Sequence, residues 1–189
     1  MLALLAGWQT LHHKPAAGPG ANAPWPDQRA ALQSLDSYQL NGRVAVAANG
    51  QGFSANLRYQ QLPRRSDLAL DGPLGIGGMR ISLDGETLAI STSRGERLDG
   101  QQARAEIERR LGFALPIAEL RWWLLGIPAP GESTINAEPG SGEIHDFTQS
   151  GWHVSIASRS EGLGFSLPQR LTAERDGARL KLLVDRWQP

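Results

Sequence analysis

The sequence predicts a mainly β fold of the α+β class, in which a strongly curved antiparallel sheet wraps around helices. Two observations predict it. From Tyr38 onward, apolar and polar residues alternate with a period of two over most of the chain, which is typical of half-buried strands. Between residues 99 and 126, apolar residues instead fall about four apart, which is typical of amphipathic helices. A length of 189 residues suits one domain with a sizeable core.

The N-terminal region differs in composition from the rest of the chain. Residues 1–7 resemble the remnant of a lipoprotein signal peptide, and Trp8 stands where the acylated cysteine is expected, so acylation at position 8 is impossible as written. Three alternatives remain open. The short Leu/Ala run is a chance pattern, a native cysteine has been altered or misread as Trp8, or this chain is a relative that has lost its lipid. Residues 8–25, rich in Pro, Gly and small residues, predict a flexible tether before a single domain at 26–189.

The domain is expected to begin with a short helix after Pro26, followed by five strands in a meander. Asn49-Gly50 and Asp84-Gly85 predict two of the hairpin turns, because these residue pairs tolerate positive φ. The apolar positions of the five strands are Leu40, Val44, Val46, Phe53, Ala55, Leu57, Tyr59, Leu68, Leu70, Met79, Ile81, Leu83, Leu88 and Ile90.

Two helices and four further strands are expected after the meander. Asp99 and Gln102 resemble a capping box before the first helix, and the second is expected to run from Pro116 to Gly126. Strand patterns return at residues 143–148, 152–156, 169–174 and 180–184. An alternating strand pattern interrupted by two helices predicts a curved sheet that buries the apolar faces of those helices.

Composition and motifs exclude several functions. The 19 basic and 19 acidic residues balance, which argues against nucleic-acid binding, and the chain has no cysteine. The four histidines, His12, His13, His145 and His153, form neither a metal-ligand cluster nor a catalytic triad, and neighbouring strand residues His145 and Asp146 point to opposite faces. We therefore expect no catalytic residue, no metal and no cofactor.

Two apolar features remain to be explained. The loop Asp71-Gly72-Pro73-Leu74-Gly75 lacks the lysine of a phosphate-binding loop; its Leu74 either folds back on the core or stays exposed to dip into lipid. Burial of one leucine is worth only ~1.5–3 kcal/mol, so such a lipid contact would be weak and reversible. The consecutive Trp122 and Trp123 point about 100° apart on a helix, so one of them is expected to line an internal cavity.

In their order, these pieces resemble the LolB family over roughly residues 24–188. The resemblance rests on Trp25 and Tyr38, the Pro73-Leu74-Gly75 loop, the segment Leu120-Arg121-x-Trp123-x-Leu125-Gly126-x-Pro128, and the closing Leu180-Lys181-x-x-x-Asp185-x-Trp187. It implies an incomplete antiparallel β-barrel with a helical lid over a hydrophobic cavity, as in the LolA carrier. It further implies a monomeric outer-membrane lipoprotein receptor that accepts acylated lipoproteins from a LolA-like carrier and inserts them into the inner leaflet of the outer membrane.

The resemblance assigns roles to residues of this chain. Leu74, held by Pro73 and Gly75, would promote membrane insertion, and the protein would lie at the periplasmic face of the outer membrane, or be soluble in the periplasm if Trp8 is native. A soluble carrier of lipids or other hydrophobic molecules and an esterase that depends on His145 remain alternatives. The residues expected to line the acyl-chain cavity are Leu40, Val44, Val46, Phe53, Leu57, Leu68, Leu70, Met79, Ile81, Trp123, Trp152, Val154, Ile156, Leu182 and Val184.

Overall fold

A computed structural model describes residues 20–72, 78–93 and 95–189 of the chain. Three helices and eleven strands occur in these ranges. In chain order they are α1 (Trp25–Ser34), β1 (Tyr38–Ala48), β2 (Gln51–Gln61), β3 (Arg65–Asp71), β4 (Met79–Asp84), β5 (Thr87–Thr92), β6 (Arg97–Asp99), α2 (Gly100–Leu111), α3 (Ile117–Trp123), β7 (Thr134–Ala137), β8 (Ile144–Gln149), β9 (Trp152–Gly162), β10 (Phe165–Arg175) and β11 (Ala178–Gln188).

All eleven strands belong to one antiparallel sheet in the order β6-β5-β4-β3-β2-β1-β11-β10-β9-β8-β7. The first and last long strands, β1 and β11, pair at its centre, so the two halves of the chain meet there. The two edges of the described sheet are β6 and β7, which do not pair with each other, and the barrel is therefore not closed. The predicted fold class, an incomplete antiparallel barrel with helices, is confirmed.

The connections between strands lie at two opposite ends of the sheet, which we call rims. We call the end that carries the connections after β1, β3, β8 and β10 the lower rim, and the end that carries those after β2, β4 and β9 the upper rim. The predicted turn at Asn49-Gly50 has positive φ at both residues, 52° and 74°, and Asp176-Gly177 repeats this at 47° and 79°. Such turns match the right-handed twist of the strands they join.

The helices pack on the concave face of the sheet. Ala103, Ile107 and Leu111 of α2 are buried, so the predicted four-residue spacing of its apolar face is correct. Asp99 is the N-cap residue of α2, but its side chain makes no capping hydrogen bond, so the capping box expected from Asp99 and Gln102 does not form. The next residue, Gly100, has a φ of 56° and turns the chain directly from β6 into the helix.

The folded domain begins earlier than predicted. The tether expected over residues 8–25 is wrong for 20–25, because Trp25 is buried and belongs to α1. Gly20 donates its backbone N–H to Gly164 O over 3.0 Å, which attaches the N-terminal arm to the upper rim. The amide of Gln28 reinforces this attachment by donating to Ala21 O and Ala23 O. Residues 1–19 lie outside the described residues, and with them Trp8, His12 and His13.

Candidate functional site

The predicted cavity residues share one location in the structure. They project from the concave face of the sheet or from α3 into one apolar core. All of them are buried except Phe53 and Ile156, which are partly buried and pack against the same core. The strand alternation therefore correctly assigned these side chains to the interior, but burial alone does not distinguish a lining residue from an ordinary core residue.

Two small cavities remain between α3 and the sheet, with volumes of about 40 Å³ and 20 Å³. Because a water-sized group needs roughly 10–15 Å³ of such space, the larger cavity holds about three. Of the predicted residues, those that line one or both cavities are Val44, Val46, Leu57, Leu68, Leu70, Trp123, Trp152 and Leu182. The remaining lining residues, which were not among the predicted ones, are Leu111, Leu115, Pro116, Leu120, Leu124, Leu171, Ala173 and Leu180.

A larger groove opens at the lower rim between the sheet and the C-terminal end of α2. It has a volume of about 640 Å³, and Phe53 and Met79 lie in its wall. Val46, Leu70 and Leu111 line both this groove and the 40 Å³ cavity. The groove therefore leads directly toward the apolar interior, and we call it the access groove.

Described residues on both sides of the glycine-rich loop border the access groove. Pro73, Leu74 and Gly75 themselves are outside the described residues. The flanking residues Gly72 and Met79 both line the access groove. The chain therefore enters and leaves segment 73–77 at the mouth of the path to the interior.

Helix α3 is attached to the sheet by hydrogen bonds at two places. At the upper rim, Tyr38 OH donates to Arg121 O over 2.5 Å, and Arg121 Nη2 in turn donates to Leu35 O over 3.3 Å. Toward the lower rim, Trp123 Nε1 donates to Gln149 Oε1 over 2.9 Å. The adjacent Trp122 is partly buried and stacks under Arg121, whose guanidinium lies 4.4 Å from the ring centroid. Of the two consecutive tryptophans, Trp123 lines the 20 Å³ cavity.

The side chain of Gln149 also holds the segment that follows α3. It accepts a hydrogen bond from Ala129 N over 2.8 Å and donates one to Ala129 O over 2.9 Å. Gln149 is only 5% exposed. This single buried amide therefore fixes both the indole of α3 and the chain beyond it. Gln149 was not predicted as a site residue, because in the strand pattern it resembles any polar residue at the end of a strand.

Two buried tyrosines form a polar cluster at the upper rim. Their ring centroids are 5.7 Å apart, and Tyr59 OH donates to Gln61 Oε1 over 2.6 Å. Burial raises the pKa of Tyr59 from 10.0 to about 12, and burial, followed by the negative charge of Tyr59, raises the pKa of Tyr38 well above 10.0. Both phenols therefore stay protonated in the folded protein at neutral pH.

Among the residues that the structure describes, few polar contacts join helix α2 to the sheet. Asn49 Nδ2 donates to Gly112 O over 3.2 Å, and Arg110 Nη2 lies 3.9 Å from Glu96 Oε2. The stronger ion pairs stay within the helix, where Glu106 binds both Arg109 and Arg110; their hydrogen bonds lower the pKa of Glu106 to about 2. The wall of the access groove formed by α2 is thus held mainly by apolar contacts with the sheet.

The structure describes two histidines, His145 and His153, and both lie on strands away from the apolar interior. His145 Nε2 is 2.6 Å from Glu138 Oε2, on an exposed surface, and Asp146 accepts a hydrogen bond from Asn136. His153 is exposed on β9. Within residues 20–72, 78–93 and 95–189, no three His, Asp or Glu side chains are arranged to hold a metal ion. In the same ranges, no helix combines the length and the apolar character needed to cross a membrane.

Comparisons with known proteins agree with this architecture. Residues 36–187 match the family model described as Outer membrane lipoprotein LolB. The Outer-membrane lipoprotein LolB of Stutzerimonas stutzeri (strain A1501) is 30% identical over 187 residues, which cover 98% of this chain and 91% of that protein. That of Pseudomonas putida (strain F1) is 33% identical over 190 residues, covering 100% and 93%. A crystal structure of a DUF1329 family protein from Desulfovibrio piger shares the fold, with a TM-score of 0.54, 7% identity, and coverage of 85% of this chain and 88% of that one.

Proposed function

The chain belongs to the LolB family, and from that membership we propose that it is an outer-membrane lipoprotein receptor, which accepts acylated lipoproteins from a LolA-like carrier and inserts them into the inner leaflet of the outer membrane. The family function is lipoprotein localisation, and we assign no catalytic step to the chain. Its relatives are named outer-membrane lipoproteins, which supports a place at the periplasmic face of that membrane.

The proposal is supported above all by the apolar path that leads from the access groove to the two cavities. The groove is open at the lower rim, and three of its residues continue into the wall of the larger cavity. Both cavities are lined by apolar residues throughout. Each methylene group moved from water into such surroundings gains ~0.8 kcal/mol, so an acyl chain would be held strongly without any specific polar contact. A receptor that must accept many different cargo proteins needs this kind of site, since acyl chains are alike.

Acyl chains do not fit the interior as it stands. The 40 Å³ and 20 Å³ cavities together offer space for only a few methylene-sized groups. Cargo must therefore displace α2 or α3 from the sheet. Helix α3 is held by buried hydrogen bonds to Tyr38 and Gln149. Since α2 has only a few polar bonds to the sheet, we propose that the α2 side of the access groove opens and that α3 stays attached.

We propose that membrane delivery depends on Leu74, which contacts lipid and so guides the cargo from the access groove into the bilayer. The proposal is supported by Gly72 and Met79, which lie on either side of this loop in the chain and line that groove.

Two other functions make different predictions. A soluble carrier of hydrophobic molecules would bind acyl chains without receiving them from another protein. An esterase would lose turnover when His145 is replaced, but this histidine is exposed and paired with Glu138, away from the apolar path. Both functions are less consistent with membership of a family named for lipoprotein localisation.

The test is transfer of a labelled lipoprotein from a LolA-type carrier to outer-membrane vesicles. The parent protein, Leu74→Glu and a control, Leu62→Glu, are compared. Leu62 is the exposed large apolar residue of the β2–β3 turn at the upper rim, 37% exposed, so its replacement introduces the same charge far from the groove. We expect the parent and Leu62→Glu to accept cargo and deliver it, and Leu74→Glu to accept cargo but not deliver it. Failure of the parent to accept cargo would refute the receptor function.

A further inference from the structure

The outer face of the sheet carries a groove that the proposed function does not use. It runs across the centre of the sheet with a volume of about 820 Å³. Three cationic side chains line it, those of Arg43, Arg170 and Lys181, and the one acidic side chain in its wall is Asp71. We call this feature the basic groove. Its cationic side chains point away from the apolar interior, because they alternate along their strands with Val44, Leu171 and Leu182, which are buried and also border the groove.

Strand register explains why the three cations are close together. Arg43 of β1 is paired with Leu183 of β11, and Leu183 is paired in turn with Arg170 of β10. Arg43 and Arg170 are therefore two strands apart in one row, which is roughly 10 Å at the usual strand spacing. Lys181 precedes Leu183 by two residues on the same face, so the three cations surround a partly buried leucine.

The charges of the basic groove are only partly neutralised. Arg43 pairs with Asp185 over 3.0 Å, and Asp71 is occupied by Arg58 over 2.7 Å. Arg170 and Lys181 are exposed, and neither forms an ion pair with any residue that the structure describes. Together, the four cations Arg43, Arg58, Arg170 and Lys181 and the carboxylates of Asp71 and Asp185 leave a local excess of two positive charges in a chain whose net charge is zero.

We infer that the basic groove binds the anionic phosphate headgroups of phospholipids at the membrane surface. This inference rests on the proposed function, since it describes how the receptor contacts its target membrane. Positively charged side chains beside small and apolar residues, here Ala45, Ala157 and Leu183, match a headgroup that joins a phosphodiester to a glycerol.

The position of the groove supports a lipid rather than another occupant. Gly72, which precedes the loop segment 73–77, lines the basic groove as well as the access groove. Contact of that loop with the bilayer would bring the basic groove near the headgroup layer. The groove would then set the tilt of the domain on the membrane, so that the access groove faces the leaflet that receives the cargo.

The test measures binding of the full chain to vesicles by flotation. Vesicles of phosphatidylcholine alone are compared with vesicles that also contain phosphatidylglycerol. The variant R170Q/K181Q removes the two unpaired cations, and R64Q/R104Q removes two exposed arginines from the upper-rim turn and from α2 as a matched control. Each cation near an anionic surface contributes roughly fivefold to the partition coefficient, so we expect R170Q/K181Q to weaken binding to anionic vesicles about 25-fold. The control should weaken it less than threefold, and neither variant should change binding to phosphatidylcholine.

Three outcomes would overturn the inference. The parent could bind both vesicle types equally, or the two double variants could lose binding to the same extent, which would indicate an effect of net charge. R170Q/K181Q could also lose acceptance of cargo from the carrier while its vesicle binding is unchanged, which would assign the groove to a protein partner. Acceptance of cargo is measured without vesicles, so failure of the receptor function is distinguishable from failure of the basic groove.

Discussion

Trp123 Nε1 donates a hydrogen bond to Gln149 Oε1 over 2.9 Å, and this bond joins the C-terminal end of α3 to the sheet beside an apolar cavity. The same amide binds both backbone groups of Ala129. A buried polar residue that satisfies three partners at once is costly to remove, because each partner loses its hydrogen bond and has no water to replace it.

Replacement of Gln149 by methionine should therefore destabilise the domain. The substitution keeps the volume of the side chain but leaves the indole N–H and the groups of Ala129 without partners, and we expect a loss of about 3 kcal/mol. The control is Gln101→Met on the exposed face of α2, which should change stability by less than about 0.5 kcal/mol. Urea unfolding measures both values. Equal stability of the two variants would show that Gln149 does not hold α3 against the sheet.

Gly126 makes the turn after α3 and should tolerate no side chain. Its φ is 76°, and an added Cβ would lie 2.8 Å from Pro168 Cγ and 3.1 Å from Arg159 Nη1. Gly177 is a matched control, since it has a φ of 79° and nothing lies within 4 Å of an added Cβ. We expect Gly177→Ala to cost about 1 kcal/mol for the backbone conformation alone and Gly126→Ala to cost about 2–4 kcal/mol. Thermal and urea unfolding that rank the two variants equally would contradict this account of the turn.

The two tyrosines of the chain predict its behaviour in alkali. Folding raises the pKa of Tyr59 from 10.0 to about 12 and that of Tyr38 in the same direction, so the folded state retains these protons longer than the unfolded state. Their contribution to stability is complete below pH 10 and is lost as pH rises through about 12. We expect tyrosinate absorbance to appear near pH 12, together with loss of the circular dichroism of the sheet. Absorbance that rises near pH 10 in a folded protein would show that the tyrosines are accessible to solvent.

Most of the fold could be predicted because its strands are long and one face of each is buried. Alternation in β1, β2 and β11 predicted the correct face of each strand, and Asn49-Gly50 and Asp84-Gly85 correctly predicted two of the hairpins. Strands β6 and β7 were missed, since three or four residues at a sheet edge are too few to show a period. The docking of residues 20–25 was missed because it depends on hydrogen bonds to Gln28 and Gly164, which leave no pattern in composition.

The candidate site was predicted only in part. Alternation placed the strand residues on the concave face but could not show which of them border unfilled space, since that depends on how α3 packs. Leu120 and Leu124 line both cavities, yet in sequence they resemble any other residues of an apolar helix face. The basic groove was not predicted at all. Arg43, Arg170 and Lys181 are far apart in the chain, and only strand register brings them together.

If acyl chains enter when the α2 side of the access groove opens, a reversible covalent lock between α2 and the sheet should block their entry. An added Cβ at Gly112 would lie 3.1 Å from Ala48 Cβ, slightly closer than in a disulfide, and the chain has no native cysteine to interfere. Gly112 has a φ of 81°, so a cysteine there costs about 1 kcal/mol, as at Gly177, and oxidised A48C/G112C should join the end of α2 to β1 at that modest cost. We predict that the oxidised protein accepts no lipoprotein from the carrier and that reduction of the same sample restores acceptance; full acceptance by the oxidised form would contradict the account.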